Sequence, residues 1–397
     1  MPDGAAASPS LNRFAWPFWP AVPLYPYGQR RTLRREVVKH TVWTFDQLQG
    51  TLYVVVPVRM TVVRLAAGGL LVFAPVAPTP ECCSLVDELV ATHGDVKYIV
   101  LPTVTGIEHK VFVGPFARQY PTAQVYVTPN QWSFPLNLPL SWLGFPRDRT
   151  LELPANSADA PFGDEFDYQT LGPLRLGLGP YAETALFHRA TRTLLVIDAV
   201  VSIPDAPPEI VQLDGYPLLF HAKDSAFDQP ADTPENRLKG WRRIALFAFY
   251  FRPSVLADPP WGEVLWDALK TPDRSKKAYF GLFPFRWQPQ WETAFHQLRG
   301  QGQLLVAPVL QSLIFNRGPA AVLSWAKTVA DWPFERIITG HLAEPLPATP
   351  EEFYRAFEFL RGEPPYRDAR LPEADFDLLR RISQLLDKSG VVPPPEV

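Results

Sequence analysis

Cysteine and methionine are nearly absent from this 397-residue chain, with two of each. Cys82 and Cys83 are adjacent, which suits neither a disulfide between them nor a zinc pair at ligand spacing and fits a reducing compartment. Net charge is scarce as well. A formal charge of −3 gives no global field toward nucleic acid or an anionic membrane, so nucleic acid is not an expected partner. Long apolar runs are missing: proline, glycine or charge cuts every one before the roughly 20 residues that span a bilayer. No basic segment leads into an apolar core and a small-residue cleavage site, so the expectation is a cytoplasmic protein that is not secreted. G-x-x-x-x-G-K-[ST] and G-x-G-x-x-G are absent, which leaves phosphate cradling of a nucleotide cofactor without support. Ser225 lacks the Gly-x-Ser-x-Gly elbow of a serine hydrolase.

What the chain has in excess is proline, 45 residues, together with 12 tryptophans. The segments Phe14 to Tyr27 (FAWPFWPAVPLYPY) and Asn130 to Pro146 (NQWSFPLNLPLSWLGFP) combine both. Proline at that density forbids a helix. Their amphipathic rings suit either a fixed cover over the domain or an apolar patch for a membrane or protein partner, with the bases of Arg30 to Arg35 (RRTLRR) beside them. A solvated face paired with nearby acids is the plainer reading of those arginines.

From Val42 to Ala74, β-branched runs punctuated by Pro57 and Gly68-Gly69 read as consecutive strands. Thr79-Pro80-Glu81 supplies an N-cap, a proline at the first helical position and an acid in the first turn, with Gly94 as the stop. The strand VKYIVLP follows, then a loop from Thr103 to His109, a helix to Tyr120 and the strand AQVYVTP. Such alternation signals a layered α/β domain. ETALFH and TLLVIDAV are further strands, the second ending at Asp198. Residues 201–331 read as mostly helical, an insertion or second lobe, and ERIITGH returns to strand and loop. The organisation expected is an extension over 1–41, a domain built from 42–200 and 332–397, and the lobe between them.

Three segments in order, IVLPTVTGIEHKVFVGPFARQYPTAQVYVTP, ALFHRATRTLLVIDAV and FERIITGHLAEP, resemble the metallo-β-lactamase superfamily. The resemblance implies an αββα sandwich carrying a largely helical insertion, with metal ligands on loops at one edge. The fuller pattern, including FWPAVPLYPYG and LLFHAKDSAFD, is similar to an uncharacterised metallo-β-lactamase-like family of oxygenic phototrophs. That implies a cytoplasmic or plastid-stromal setting, possible thylakoid association and no known reaction.

The family's His-x-His-x-Asp-His loop departs here. Glu108-His109 align with Asp-His, which puts Val104 and Gly106, or with a one-residue gap Thr103 and Thr105, where the earlier histidines stand. The next family histidine falls near Gly179. The first metal site is therefore missing. The second maps onto Glu108, His109, Asp198 and His341, all ligand-capable, and implies one zinc, iron or manganese ion. Each of these could equally be a satisfied polar residue, and Asp198 a cap.

Other candidates are weaker. His221, Asp224 and Asp228 share helical spacing, although a helix-capping turn is the plainer reading. The cysteines read as core. The function expected is a divergent mononuclear metal-dependent hydrolase or oxidoreductase acting on a small or apolar substrate. Its rival is a non-catalytic binding or assembly factor that kept the fold, peripheral to photosynthetic membranes.

Overall fold

The computed structural model describes residues 12–18, 20, 23–104, 107–133, 137–177, 179–364, 366–390 and 392. Its first sheet has seven strands in sequence order: β1 (Leu33–Val38), β2 (Val42–Thr51), β3 (Val54–Arg64), β4 (Leu70–Phe73), β5 (Val96–Leu101), β6 (Gln124–Val127) and β7 (Thr150–Glu152). β2 and β3 form a long hairpin in register from Val42↔Val63 to Thr51↔Val54. Its turn residues Leu52 and Tyr53 take φ of 50° and 60°, the left-handed conformation a two-residue hairpin turn needs.

Pro57 was expected to punctuate strands, and it does not: it lies inside β3, opposite Leu48. β3 meets β4 only over Thr61–Arg64. On that side of β3 Pro57 has no pairing strand among the described residues, so its missing N–H costs no ladder bond. The basic run also holds more than a charged face, because Arg34 and Arg35 belong to β1, which pairs with β2.

Between β4 and β6 the chain makes two parallel crossovers, through α1 (Pro80–His93) and α2 (Ile107–Gln119). α1 starts where its capping signals place it. The Thr79 side chain accepts from the Cys82 N–H at 3.2 Å, and the Gly94 N–H closes the far end on the Val90 carbonyl.

β8 (Phe166–Arg175), β9 (Pro180–His188) and β10 (Thr193–Leu195) begin the second sheet. The chain then builds α3 (Glu209–Gln212), α4 (Tyr216–Ala222), α5 (Pro234–Tyr250), α6 (Trp261–Lys270), α7 (Trp291–Arg299) and α8 (Pro308–Leu313), with a small ribbon of β11 (Leu256–Ala257) and β12 (Arg286–Trp287). After α9 (Pro319–Ala330), β13 (Arg336–Ile338) and β14 (Leu346–Pro347) complete that sheet in the order β14-β13-β10-β9-β8, and α10 (Pro350–Arg355) and α11 (Asp377–Lys388) follow.

Three apolar layers define the architecture. Val63, Phe73 and Val100 of the first sheet meet Phe166, Leu186, Ile197 and Ile338 of the second layer. Val86 of α1 with Val113 and Phe116 of α2 cover the first sheet's outer face at Val62, Val72 and Ile99. Val322, Trp325 and Ala326 of α9 cover the second at Ala185, Phe187 and Leu194. Each such large side chain contributes roughly 1.5–3 kcal/mol by leaving water. The result is the metallo-β-lactamase-like αββα sandwich, and the helices after β10 form a further core around Trp241, Ile244 and Phe295 that also takes in Tyr53 and Val55 of the hairpin.

Among the described residues of 14–27, Trp16 is buried edge-on to Phe112, centroids 5.3 Å apart, and Tyr25 against Tyr53 at 5.2 Å. Trp19 and residues 134–136 lie outside the described residues. Each arginine of the basic run has a partner. Arg30 is buried and donates to the Leu48 carbonyl at 3.0 Å. Arg31 lies 3.4 Å from Glu81, Arg34 pairs with Glu88 at 2.8 Å, and Arg35 pairs with Glu209 and Glu344.

Candidate metal centre

Three loops deliver the site. Glu108 is in the first turn of α2, Asp198 follows β10 and His341 follows β13. β10 and β13 are parallel neighbours, so both loops leave at one edge. The end of β5 is tied to β9 by Thr184 N–H to Pro102 O at 2.7 Å and Val104 N–H to Ala182 O at 3.2 Å, which carries the start of α2 to the same edge.

The His341 loop is clamped from beneath. The buried Arg59 guanidinium grips Asp46 at 2.7 and 2.9 Å and donates to the Thr339 carbonyl at 3.1 Å. Its backbone N–H donates to Gly340 O at 2.9 Å. Gly340 packs closely on the Asp198 loop, since a Cβ there would stand 3.0 Å from the Cα of Ile197.

His341 Nδ1 lies 2.9 Å from the Pro57 carbonyl. A carbonyl only accepts, so Nδ1 carries the hydrogen and the other nitrogen faces the acids. Nε2 is 3.1 Å from Asp198 Oδ1 and 3.2 Å from Glu108 Oε2. One ligand atom from each of the three lies within 4.8 Å of the others. Burial works against a charged His341, but hydrogen bonds and attraction from Asp198 and Glu108 outweigh it and raise its pKa well above the usual value. Burial likewise pushes the Glu108 carboxyl up, while His341, His109 and a hydrogen bond from Gln49 prevail and hold it below the usual value.

His109 stands beside this group and outside it. Its ring centroid is 6.3 Å from that of His341. Its Nδ1–H is committed to Pro75 O at 3.2 Å, which leaves a buried Nε2 with no hydrogen-bond partner. Burial and the neighbouring His341 lower its pKa, so the ring is neutral with a lone pair on that nitrogen.

Glu183 supports the site, and the sequence reading missed it. Buried within β9, its carboxylate accepts from the backbone N–H groups of Ile197, Asp198 and Ala199 at 2.7, 3.0 and 2.9 Å and from the Tyr181 hydroxyl at 2.8 Å. It therefore fixes the Asp198 loop. Burial and the nearby Asp198 push its own pKa up to about 7. The available signal was an acid beside the apolar core of the strand ETALFH.

The positions of the missing first site are structural. Thr103 bridges Glu183 and Val104 is buried, while Thr105 and Gly106 lie outside the described residues. Gly179 sits under an indole: a Cβ there would come within 2.4 Å of Trp132 Cε3. The secondary candidate at 221–228 resolves into packing. His221 bonds the Leu52 carbonyl at 3.0 Å, Asp224 pairs with Lys239 and Arg243 at 2.7 Å each, and Asp228 caps the turn at Ser225. Cys82 is buried in the first outer core, and burial pushes the Cys83 thiol up to about 11.

Glu108, Asp198 and His341 share the lining of a cavity of about 450 Å³ with Gln49, Val54, Val56, Phe247, Phe251, Val309 and Leu310. Two carboxylates, an imidazole whose hydrogen is held elsewhere and an orphaned buried imidazole nitrogen form a donor set that fits a divalent transition metal.

The chain belongs to the family described as Domain of unknown function (DUF4336), whose model matches residues 39–359. No curated protein matches it. Among solved structures, it is similar to the metal-soaked Flv1 flavodiiron core from Synechocystis sp. PCC6803, at 8% identity over 83% of this chain and 61% of that one, TM-score 0.43. The chain thus spans under two thirds of that flavodiiron core. It is also similar to a diflavin flavoprotein A 5 fragment from Nostoc sp. PCC 7120, at 9% identity over 83% of this chain and 95% of that one, TM-score 0.42. A third is the DIM-1 metallo-β-lactamase exposed to ceftazidime, at 10% identity over 83% of this chain and 97% of that one, TM-score 0.38.

Proposed function

We propose that Glu108, Asp198 and His341 hold one divalent zinc, iron or manganese ion, with His109 as the reserve donor. The protein is then a mononuclear metal-dependent hydrolase or oxidoreductase for a small, largely apolar substrate. The observation that carries this reading is the His341 ring: its Nδ1–H is spent on Pro57 while its Nε2 faces two carboxylates. An ion there supplies a Lewis acid. The chain's own groups do the rest. Gln49 orients Glu108, Glu183 holds the Asp198 loop through three N–H groups, and Val54, Val56, Phe247 and Leu310 exclude water around an apolar ligand.

The competing state is a metal-free network in which a protonated His341 donates to both acids. Elemental analysis of the purified protein decides between them. About one ion per chain, lost in Glu108→Ala, Asp198→Ala and His341→Ala but kept in His221→Gln, supports the metal site. No stoichiometric metal, or metal indifferent to these substitutions, overturns it.

A further inference from the structure

One helix turns its apolar face outward. On α6, Trp261, Leu265, Trp266 and Leu269 are 61%, 57%, 59% and 65% exposed. At 100° per residue they fall within an arc of roughly 140°. The buried Val264 and Ala268 lie on the neighbouring stripe and anchor the helix. Phe280, 65% exposed, extends the patch. Its neighbour Gly281 packs so closely on α6 that a Cβ would lie 2.8 Å from Ala268 O. No described residue covers this face.

Its rim is basic. Residues 270–277 hold Lys270, Arg274, Lys276 and Lys277 against the single acid Asp273, with Arg274 on the Leu269 carbonyl and Lys277 over the Tyr216 ring; of the two acids on the helix, Glu263 is taken by Arg286 and Asp267 falls outside the apolar arc. Lys270 lies with its ammonium 4.3 Å from the Trp266 ring centroid. A short helix presenting Trp and Leu outward beside lysines is the chemistry of a bilayer interface, where indoles sit at headgroup level and bases meet anionic lipid. Ten residues, about 15 Å, cannot cross the hydrocarbon, and among the described residues no helix is long and apolar enough to span a membrane. A second copy of the same face would oppose lysines to lysines, which disfavours a dimer.

We propose that α6 and Phe280 seat the protein peripherally on an anionic phospholipid surface, the apolar arc entering the interface and Lys270, Arg274 and Lys276 meeting the headgroups. This is independent of the metal site and uses neither the segments at 14–27 and 130–146 nor the arginines at 30–35.

The test is co-sedimentation of the full chain with vesicles of phosphatidylcholine alone or mixed with phosphatidylglycerol. Binding to the mixed vesicles at low salt is expected, falling about tenfold in Leu269→Glu and about fivefold for each of Arg274→Gln and Lys276→Gln. The double variant Trp261→Phe/Trp266→Phe should keep binding yet lose most fluorescence quenching by bromine-labelled acyl chains. No binding to mixed vesicles at low salt, or equal binding by Leu269→Glu, overturns the proposal. So does sedimentation velocity showing a dimer that Leu269→Glu disperses while vesicles go unbound.

Discussion

His341 donates its Nδ1–H to the Pro57 carbonyl across 2.9 Å, joining the loop after β13 to the proline inside β3. That carbonyl is free because β3 lies outside its pairing with β4 at this point. The bond fixes the ring, so Nε2 faces the two carboxylates in the same orientation whether it carries a proton or meets an ion. Cobalt(II) titration followed by visible absorption should show one equivalent in the wild type and no site in His341→Ala. His109→Ala should keep the stoichiometry and weaken affinity by about tenfold, the usual range for a group supporting a metal site. Unchanged affinity in His109→Ala would remove His109 from the centre.

Arg59 is the buried clamp beneath the same loop, and its removal leaves Asp46 without its ion partner and the Thr339 carbonyl without its donor. Breaking a buried pair from one side costs about 3–5 kcal/mol, and replacing both members with apolar groups costs much less. Urea unfolding of Arg59→Met should show a loss of about 3 kcal/mol, with Arg59→Met/Asp46→Leu recovering part of it. A midpoint unmoved in Arg59→Met would mean the clamp contributes nothing.

Acid sensitivity follows from His221. Buried with its Nε2–H on the Leu52 carbonyl, it has its pKa pushed down to about 4, chiefly by burial. The unfolded chain, with histidine near its ordinary value of about 6.5, binds more protons than the native state between those values. Stability from this group is therefore complete above about pH 6.5 and lost as pH falls toward 4, a total of about 3 kcal/mol. His221→Gln should flatten the stability profile over that window by an amount of this order. A profile parallel to wild type would refute the assignment.

The sequence was most informative where signals are local. Thr79, Pro80 and Gly94 set α1 because capping involves atoms a few residues apart. Of the four residues brought forward by resemblance to a fold, Glu108, Asp198 and His341 converge and His109 stands outside them. Pro57 misled because proline's cost in a strand depends on which neighbour stands beside it, and that is a tertiary fact. Glu183 left one cue, an acid within an apolar strand, but its partners are mostly backbone N–H groups of a distant loop, which leave no pattern of side-chain types. Gly179 read as an absent ligand, while the structure shows an indole that needs the space.

The apolar cavity supplies a test of substrate class that leaves the metal untouched. Leu310 lines it beside Val309 and Phe247 and is half-buried, so a larger side chain can extend into the roughly 450 Å³ of space without displacing the core. Leu310→Trp should put an indole across the apolar wall of the cavity and narrow it, without the roughly 1–3 kcal/mol that a small-to-large change in a packed interior costs. A shift in thermal midpoint of only a few degrees, with metal content equal to wild type, is expected. Binding of a fluorescent fatty acid should weaken at least tenfold, because an apolar ligand loses about 0.8 kcal/mol for each methylene it can no longer bury. Binding that survives Leu310→Trp unchanged would put any apolar ligand elsewhere, and binding absent from the wild type would remove acyl chains from the substrate class.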